Sequence, residues 1–365
     1  MATITYGDME FNIIYVDPSK SSSGTGATPA TAYNSLPANI ADGTAFIIRR
    51  TAETSAASLP SSTLTGIRNI LFVGRPLPAD ELYGFMPAEA QTAWGSDTAA
   101  YANLKMNTSG GSFQLPNAQR FLLHRVYLFR GGFDATQYIL KFNYTSSPGI
   151  GCFAFEHCKF GEKGIDVDQS SYATALTTNR LKAYVYIQYA RMLAIRDCII
   201  NHALTGSSSN PCGFYCCFAD VLDVEDVHVY SPMWTDYTSS AYPLYLSGTT
   251  QKGVECQIRN VTQTIRMNGS SGTHVPTLFY VQGYISCEIK DIAIAMSKAL
   301  STTNPTSLAT EYPVCYLSNI YELSIDGFSA SIPSLWYAKE PILELNRCYT
   351  GNYVPGVVKT LKNES

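Results

Sequence analysis

The amino-acid sequence predicts an all-β chain folded as a right-handed single-stranded parallel β-helix, a solenoid of three-strand coils. Three observations predict it: an eight-residue pattern that returns at coil-length intervals, a turn-forming residue fixed inside it, and a third short strand at a constant distance upstream. The pattern reads apolar, any, apolar, polar, turn residue, apolar, any, usually apolar, and it occurs at 121–128 (FLLHRVYL), 153–160 (FAFEHCKF), 193–200, 222–229, 256–263, 287–294 and 323–330. Its fifth positions are Arg125, His157, Asp197, Asp226, Asn260, Asp291 and Gly327, separated by 32, 40, 29, 34, 31 and 36 residues. Irregular spacing of this size fits one solenoid coil with corner loops of varying length.

Within each copy the first, third and sixth positions are apolar in all seven cases, counting Cys as a small hydrophobe, in a chain that is 45% hydrophobic. Alternation on both sides of the fifth position means two strands, and the phase slip there means a bend. Asp, Asn, His and Gly are the residues that tolerate a left-handed backbone, so a one-residue corner is expected, with Arg125 the exception. Val126, Cys158, Cys198, Val227, Val261, Ile292 and Phe328 follow the corners in one phase and are expected to form one inward column. The fourth positions, His124, Glu156, Arg196, Glu225, Arg259, Lys290 and Asp326, are polar, so that face is expected to meet water, its alternating charges paired across strands.

Counting back eleven residues from the bend gives the third strand, an apolar, outward, apolar triplet centred on Gln114, Tyr186, Tyr215, Tyr280 and Tyr316. In the Asn260 coil the triplet centres on Tyr245, four residues further back, with 249–253 as an inserted turn. Length variation falls in Ser/Thr/Asn/Pro-rich stretches such as 203–211 and 301–311, all at one corner. Residues 59–110 read as early coils interrupted by an Ala/Pro/Glu-rich excursion over 76–101. The division expected is 1–50 as an N-terminal cap with the opening strands, 51–330 as the β-helix, and 331–365, with Trp336 and Pro341, as a C-terminal cap over the open sheet ends.

The corner with its αL residue resembles the second turn of parallel β-helix proteins of the pectate-lyase type. The opening segment adds to this: Ile14-Tyr15-Val16-Asp17-Pro18, a Ser/Gly-rich loop over 21–28, then Ala32-Tyr33-Asn34-Ser35-Leu36 and Asp42-Gly43-Thr44 before Phe46-Ile47-Ile48. It is similar to the start of bacteriophage tail-associated β-helix proteins of the pectate-lyase-like superfamily, over residues 12–50. Pro37 interrupts the amphipathic helix those proteins carry there. The resemblance implies a bacteriophage virion component, made in the bacterial cytoplasm: a capsid-decorating protein or part of a tail fibre or tailspike, homotrimeric, bound to other virion proteins and to a host surface polysaccharide. The alternative is a polysaccharide depolymerase of tailspike type, a glycoside hydrolase or lyase. A non-viral adhesin would carry an export signal.

Composition narrows the partners. The net charge is −4 and no Lys/Arg cluster is present, which argues against nucleic acid. No run of 18 apolar residues and no basic-then-apolar start occurs, so neither a membrane span nor a signal peptide is expected. Ten cysteines without zinc-type spacing are expected as reduced, buried thiols, with no metal and no cofactor.

Candidate sites follow from the register. Tyr186, Tyr215, Tyr245, Tyr280 and Tyr316 should stack outward at strand spacing, about 4.8 Å, as a subunit interface, a glycan contact or ordinary β-surface. Asp223 and Glu288 share an outward column two coils apart with Gln257 between them, a separation of about 9 to 10 Å that approaches an inverting glycosidase pair; solvated surface acids are the plainer reading. Asp166 and Asp168 make another acidic pair without a basic partner. None of His124, His157, His202, His228 and His274 has a spaced Ser/Asp partner for a triad. Trp234-Thr235-Asp236-Tyr237 reads as a loop tip or a loop anchor.

Overall fold

A computed structural model describes residues 2–106, 111–130, 138–143, 151–162, 183–201, 212–233, 242–247, 253–267, 277–298, 315–331, 343–352 and 360–362. Among these the chain is all-β: 25 strands join one hydrogen-bonded network, and helix is confined to a 3₁₀ turn, Glu81–Phe85, and one short α-helix, Ala88–Ala93. Apart from the opening antiparallel pair Thr3–Tyr6 with Met9–Val16, every strand pair is parallel. The architecture is therefore a long, solenoid-like parallel ladder, compatible with a β-helix.

Three rows of strands make the ladder, in the order the sequence pattern gives them. The pre-corner row runs from Met9–Val16 through Thr44–Ile48, Asn69–Gly74, Arg120–His124, Cys152–Glu156 and Ala190–Arg196 into later, longer strands. The post-corner row contains Ala102–Met106, Val126–Arg130, Lys159–Glu162 and Ile199–Asn201. The triplet row contains Phe113–Gln114, Tyr138–Phe142, Ala183–Ile187, Cys212–Cys216, Tyr242–Ser247 and Phe279–Gln282. All seven corner residues have positive φ, from 50° at Asp197 and Asn260 to 65° at Gly327, and Arg125, the chemically odd member, has φ 52°. One left-handed residue turns the strand without adding length, so equivalent positions stay in step between repeats.

That register builds the core. The first, third and sixth residues of every copy are buried in one continuous hydrophobic cluster, and the column from Val126 to Phe328 is 0 to 8% exposed. Burying one such side chain contributes roughly 1.5–3 kcal/mol relative to leaving it exposed. Early repeats fill the interior with rings, Phe46 stacked on Phe72 at 5.3 Å and Phe121 against Phe155 at 5.6 Å; Cys256 and Cys287 are ladder partners in the later ones. All ten cysteines are among the described residues, none forms a disulfide, and eight are buried. Adjacent Cys216 and Cys217 face opposite sides, one buried and one half-buried.

Several expectations change. The fourth-position face does not meet water throughout: His124 is 2% exposed. The reason is the 76–101 excursion, which leaves the ladder at Gly74, opposite the Arg125 corner, and returns at Ala102–Met106. Its Leu82, Met86, Ala90 and Trp94 form a second buried cluster with the outward faces of the first strands, including Leu71, Val73 and Leu122. Tyr15 donates a 2.7 Å hydrogen bond to Glu89, and Arg49 bridges Asp17 at 3.1 Å and Asp97 at 3.0 Å. At Gly74 a Cβ would stand 2.1 Å from the Arg125 carbonyl oxygen, so the departure point requires glycine. The His157 repeat has a triplet strand that the eleven-residue count misses: Tyr138–Phe142 enters the row with Lys141 opposite Tyr186, sixteen residues before the bend. Asn319, φ 54°, makes a second tight corner in the last long strand. Parallel pairing also runs on into 331–365, through Leu343–Asn352 and Thr360–Lys362. The 203–211, 249–252 and 301–311 loops and the Trp336–Pro341 segment lie outside the described residues.

Because Asp197 holds φ 50° at a half-exposed corner, Asp197→Gly is expected to be nearly neutral, whereas Asp197→Val should cost about 1–2 kcal/mol through its Cβ branching. Paired thermal melts check this, and equal melting temperatures would contradict the left-handed corner as the source of order.

Candidate functional site

The triplet row places its central residues outward and in register: Tyr186, Tyr215, Tyr245, Tyr280 and Tyr316 are consecutive ladder partners. Their rings stack with centroids 5.5, 4.7, 4.8 and 4.7 Å apart and planes within 6 to 18° of parallel. Tyr138 closes one end, tilted at 4.6 Å from Tyr186, with the Lys141 ammonium 6.0 Å from the Tyr186 ring centre. Behind the stack Ala183, Cys212 and Tyr242 form a small buried cluster, Tyr242 edge-on to Tyr245 and Tyr280. Burial, the largest cause, pushes the Tyr186, Tyr215 and Tyr280 hydroxyls up, so they remain neutral donors. Tyr280 donates to Gln282 Oε1 at 3.0 Å, and Asn346 Nδ2 donates to the Tyr316 hydroxyl at 3.1 Å. The geometry has a chemical consequence that sequence spacing cannot carry. Tyr138 and the stacked contacts cover the ring faces from Tyr186 to Tyr280 and the inner face of Tyr316, so over that stretch the half-exposed surface consists of ring edges and hydroxyls. Stacking of a sugar needs a free ring face, whereas packing against another polypeptide uses edges and hydroxyls well.

The two carboxylates weighed as a catalytic pair have unlike surroundings. Register puts Gln257 between Asp223 and Glu288 as expected. Asp223, however, is not a solvated surface acid: it is 7% exposed and bound by two arginines, through Arg196 Nε at 2.9 Å and Nη2, and through Arg259 Nη2 at 3.2 Å. Glu288 is exposed. The charge ladder pairs diagonally as well as straight across. Arg259 reaches Glu225 at 3.3 Å, but Arg196 turns to Asp223, within range of a long side chain two positions away.

Sequence reasoning passed over a place where ionisable groups gather. A half-open cleft of about 530 Å³ lies between the opening hairpin (Thr5, Tyr6), the lip of the excursion (79–82, Phe85) and the ladder (His124, Glu156, His157, Arg196, Asp197). His124 Nε2 is 3.4 Å from Asp80 Oδ2, its Nδ1 is 3.6 Å from Glu156 Oε2, and its ring meets His157 edge-on at 5.1 Å. Arg125 binds Asp80 through Nε and Nη2, and His157 Nδ1 is 3.7 Å from Asp197. Burial alone would raise the Asp80 carboxyl, but its hydrogen bonds from Arg125 and His124 hold it well below the carboxylate range. For His124 burial opposes the charge, yet the nearby carboxylates of Asp80 and Glu156 outweigh it and raise the imidazole. His157 is lowered, first by burial and then by the charges of His124 and Arg125. Two adjacent imidazoles are thus driven in opposite directions, an arrangement associated with acid–base roles. A signal existed in the sequence: the stacked fourth positions His124, Glu156, Arg196 beside the stacked corners Arg125, His157, Asp197, at the point where a long insertion leaves the ladder.

Asp166, Asp168, His202, His274 and the 234–237 loop lie outside the described residues. Among the described residues no three His, Cys, Asp or Glu side chains are grouped to hold a metal ion, and no helix is long and apolar enough to cross a membrane. Compared with known proteins, the chain matches no family model, no curated protein and no solved structure.

Asp223→Ala should lower stability by about 1–2 kcal/mol, a buried-pair penalty discounted because both arginines are a third or more exposed, while Glu288→Ala should leave the melting temperature unchanged. A destabilised Glu288→Ala protein alongside a native-like Asp223→Ala protein would reverse the assignment of Asp223 as a structural ion.

Proposed function

We propose that the chain is a right-handed single-stranded parallel β-helix of three-strand coils that serves as a non-enzymatic structural and adhesive component of a bacteriophage virion, decorating the capsid or forming part of a tail fibre or spike. The observation that carries the reading is the tyrosine stack: a preorganised row of five half-exposed rings whose faces, from Tyr186 to the inner side of Tyr316, are already occupied. Such a surface loses little side-chain entropy on burial and is chemically suited to a polypeptide partner. The reading therefore puts this face at or beside the axis of a homotrimer and leaves the corner loops for contact with other virion proteins or a host surface polysaccharide. The phage setting draws on the similarity of residues 12–50 to phage tail-associated β-helix proteins. A polysaccharide depolymerase is the second reading, favoured by the ionisable cleft beside His124 rather than by Asp223 and Glu288.

Light scattering at micromolar concentration should find a trimer, and the double substitution Tyr215→Ser with Tyr280→Ser should raise its dissociation concentration by about 100-fold or more, with an unchanged circular dichroism spectrum because neither ring belongs to the core. A monomeric wild-type protein would refute the assembly reading. Release of new reducing ends from host capsule or lipopolysaccharide, abolished by Glu156→Gln, would replace the structural reading with the enzymatic one.

A further inference from the structure

The geometry points to the half-open cleft as a binding site for a neutral sugar residue, gripped by His124 with Glu156 and by His157 with Asp197, and flanked by Phe85 on the lip of the excursion. The inference rests on the adhesive reading and deepens it, by naming the corner at which a host polysaccharide is held. Three observations carry it. The His124 ring is 2% exposed and lines the cleft, and its buried Nδ1 has no hydrogen-bond partner. Two imidazole–carboxylate couples stand side by side, each too wide to bond directly: His124 Nδ1 is 3.6 Å from Glu156 Oε2, and His157 Nδ1 is 3.7 Å from Asp197 Oδ2. Phe85, at 56%, is the most exposed large apolar side chain among the described residues, and it lines the same cleft.

A gap of that width between a donor and an acceptor is one that a third group bridges. A hydroxyl fits it, because it accepts from Nδ1–H and gives its own hydrogen to the carboxylate. Asp80 and Glu156 favour the charged ring of His124, which carries hydrogen on both nitrogens. The two histidine rings lie 5.1 Å apart, so the couples ask for two hydroxyls on one rigid frame. Tyr6, on the hairpin wall, is pushed up to about 12, first by burial and then by Glu156, and offers a third neutral hydroxyl.

Charge narrows the ligand. Arg125 already occupies Asp80, and Arg196 is committed to Asp223, so Glu81, Glu156 and Asp197 set a negative field at the mouth. A uronate or a phosphorylated sugar is repelled there. An amine would meet the His124 cation at the same nitrogen. A neutral sugar satisfies the hydroxyl couples and lays its C–H face on Phe85, the kind of contact that the covered rings of the tyrosine stack refuse. The volume of about 530 Å³ lies within the usual range of small-ligand clefts. Hairpin, excursion and ladder of one chain build the whole site, so it does not depend on the tyrosine face.

Saturation-transfer NMR on the full chain reads binding from the sugar side, with D-glucose, D-galactose and D-mannose each titrated to about 0.5 M. At least one of the three should give a saturable signal with a Kd on the order of 10 mM, and D-galacturonate at equal ionic strength should bind about tenfold more weakly or worse. Glu156→Gln should weaken the best sugar about tenfold, and Phe85→Ser about threefold to tenfold. Tyr215→Ser with Tyr280→Ser should leave sugar binding unchanged. No saturable signal with any of the three sugars, galacturonate bound as tightly as the best of them, or binding that survives Phe85→Ser combined with Glu156→Gln would each overturn the site. If Glu156→Gln does not fold by circular dichroism, the exposed Phe85→Ser decides. A trimer that binds no sugar removes this inference alone, whereas a monomer that binds one supports it and removes the assembly reading alone.

Discussion

A single left-handed residue between two strands is the constraint on which this structure depends. Because the corner at Arg125, His157, Asp197, Asp226, Asn260, Asp291 and Gly327 consumes one residue and no more, the strands on either side are locked in phase. Everything in register follows: the inward column from Val126 to Phe328, the stacked tyrosines, and the polar column that begins at His124. Each side chain meets its counterpart one strand spacing away, about 4.8 Å, so like packs on like. Interiors built this way favour groups that stack on copies of themselves, which is why the core runs from phenylalanines to thiols and aliphatics without a break.

Much of this was legible in the sequence because the corner leaves a mark there. Asp, Asn and Gly at a phase slip between two alternating stretches define both strands and their relation, and a fixed offset to Tyr186, Tyr215, Tyr280 and Tyr316 finds the third. What escaped was whatever broke a fixed count. Tyr138–Phe142 sits sixteen residues before its bend, and its outward residue is Lys141 rather than tyrosine. Asn319 corners without any repeat to advertise it. The tyrosine positions were readable, but the tilt of their rings was not, and ring orientation decides which surface is left to offer.

The ionisable cleft was hidden for a different reason. Each of its residues has an innocent local explanation, His124 as an outward strand residue and His157 as a corner, and the group exists because a distant insertion is folded across them. Asp80 lies 44 residues from His124 in sequence. Burial of His124 is thus a property of the excursion, not of the strand that carries it, and no periodicity within the strand contains that information. Asp223 shows the converse: a residue that looked exposed by alternation is enclosed by two arginines long enough to reach diagonally.

The Gly74 corner carries one more consequence. There the chain leaves for residues 76–101 and rejoins the post-corner row at Ala102 as though nothing had intervened, with Ala102 still opposite Val126. At this one early corner, then, ladder pairing keeps the register across an insertion that the seven one-residue corners do without. Height along the axis grows by adding repeats, while girth and surface chemistry grow by lengthening corners, and the two can diversify independently. A lineage of such chains could exchange its decorations freely while its spine stays the same, and a designer could graft foreign segments at the same point.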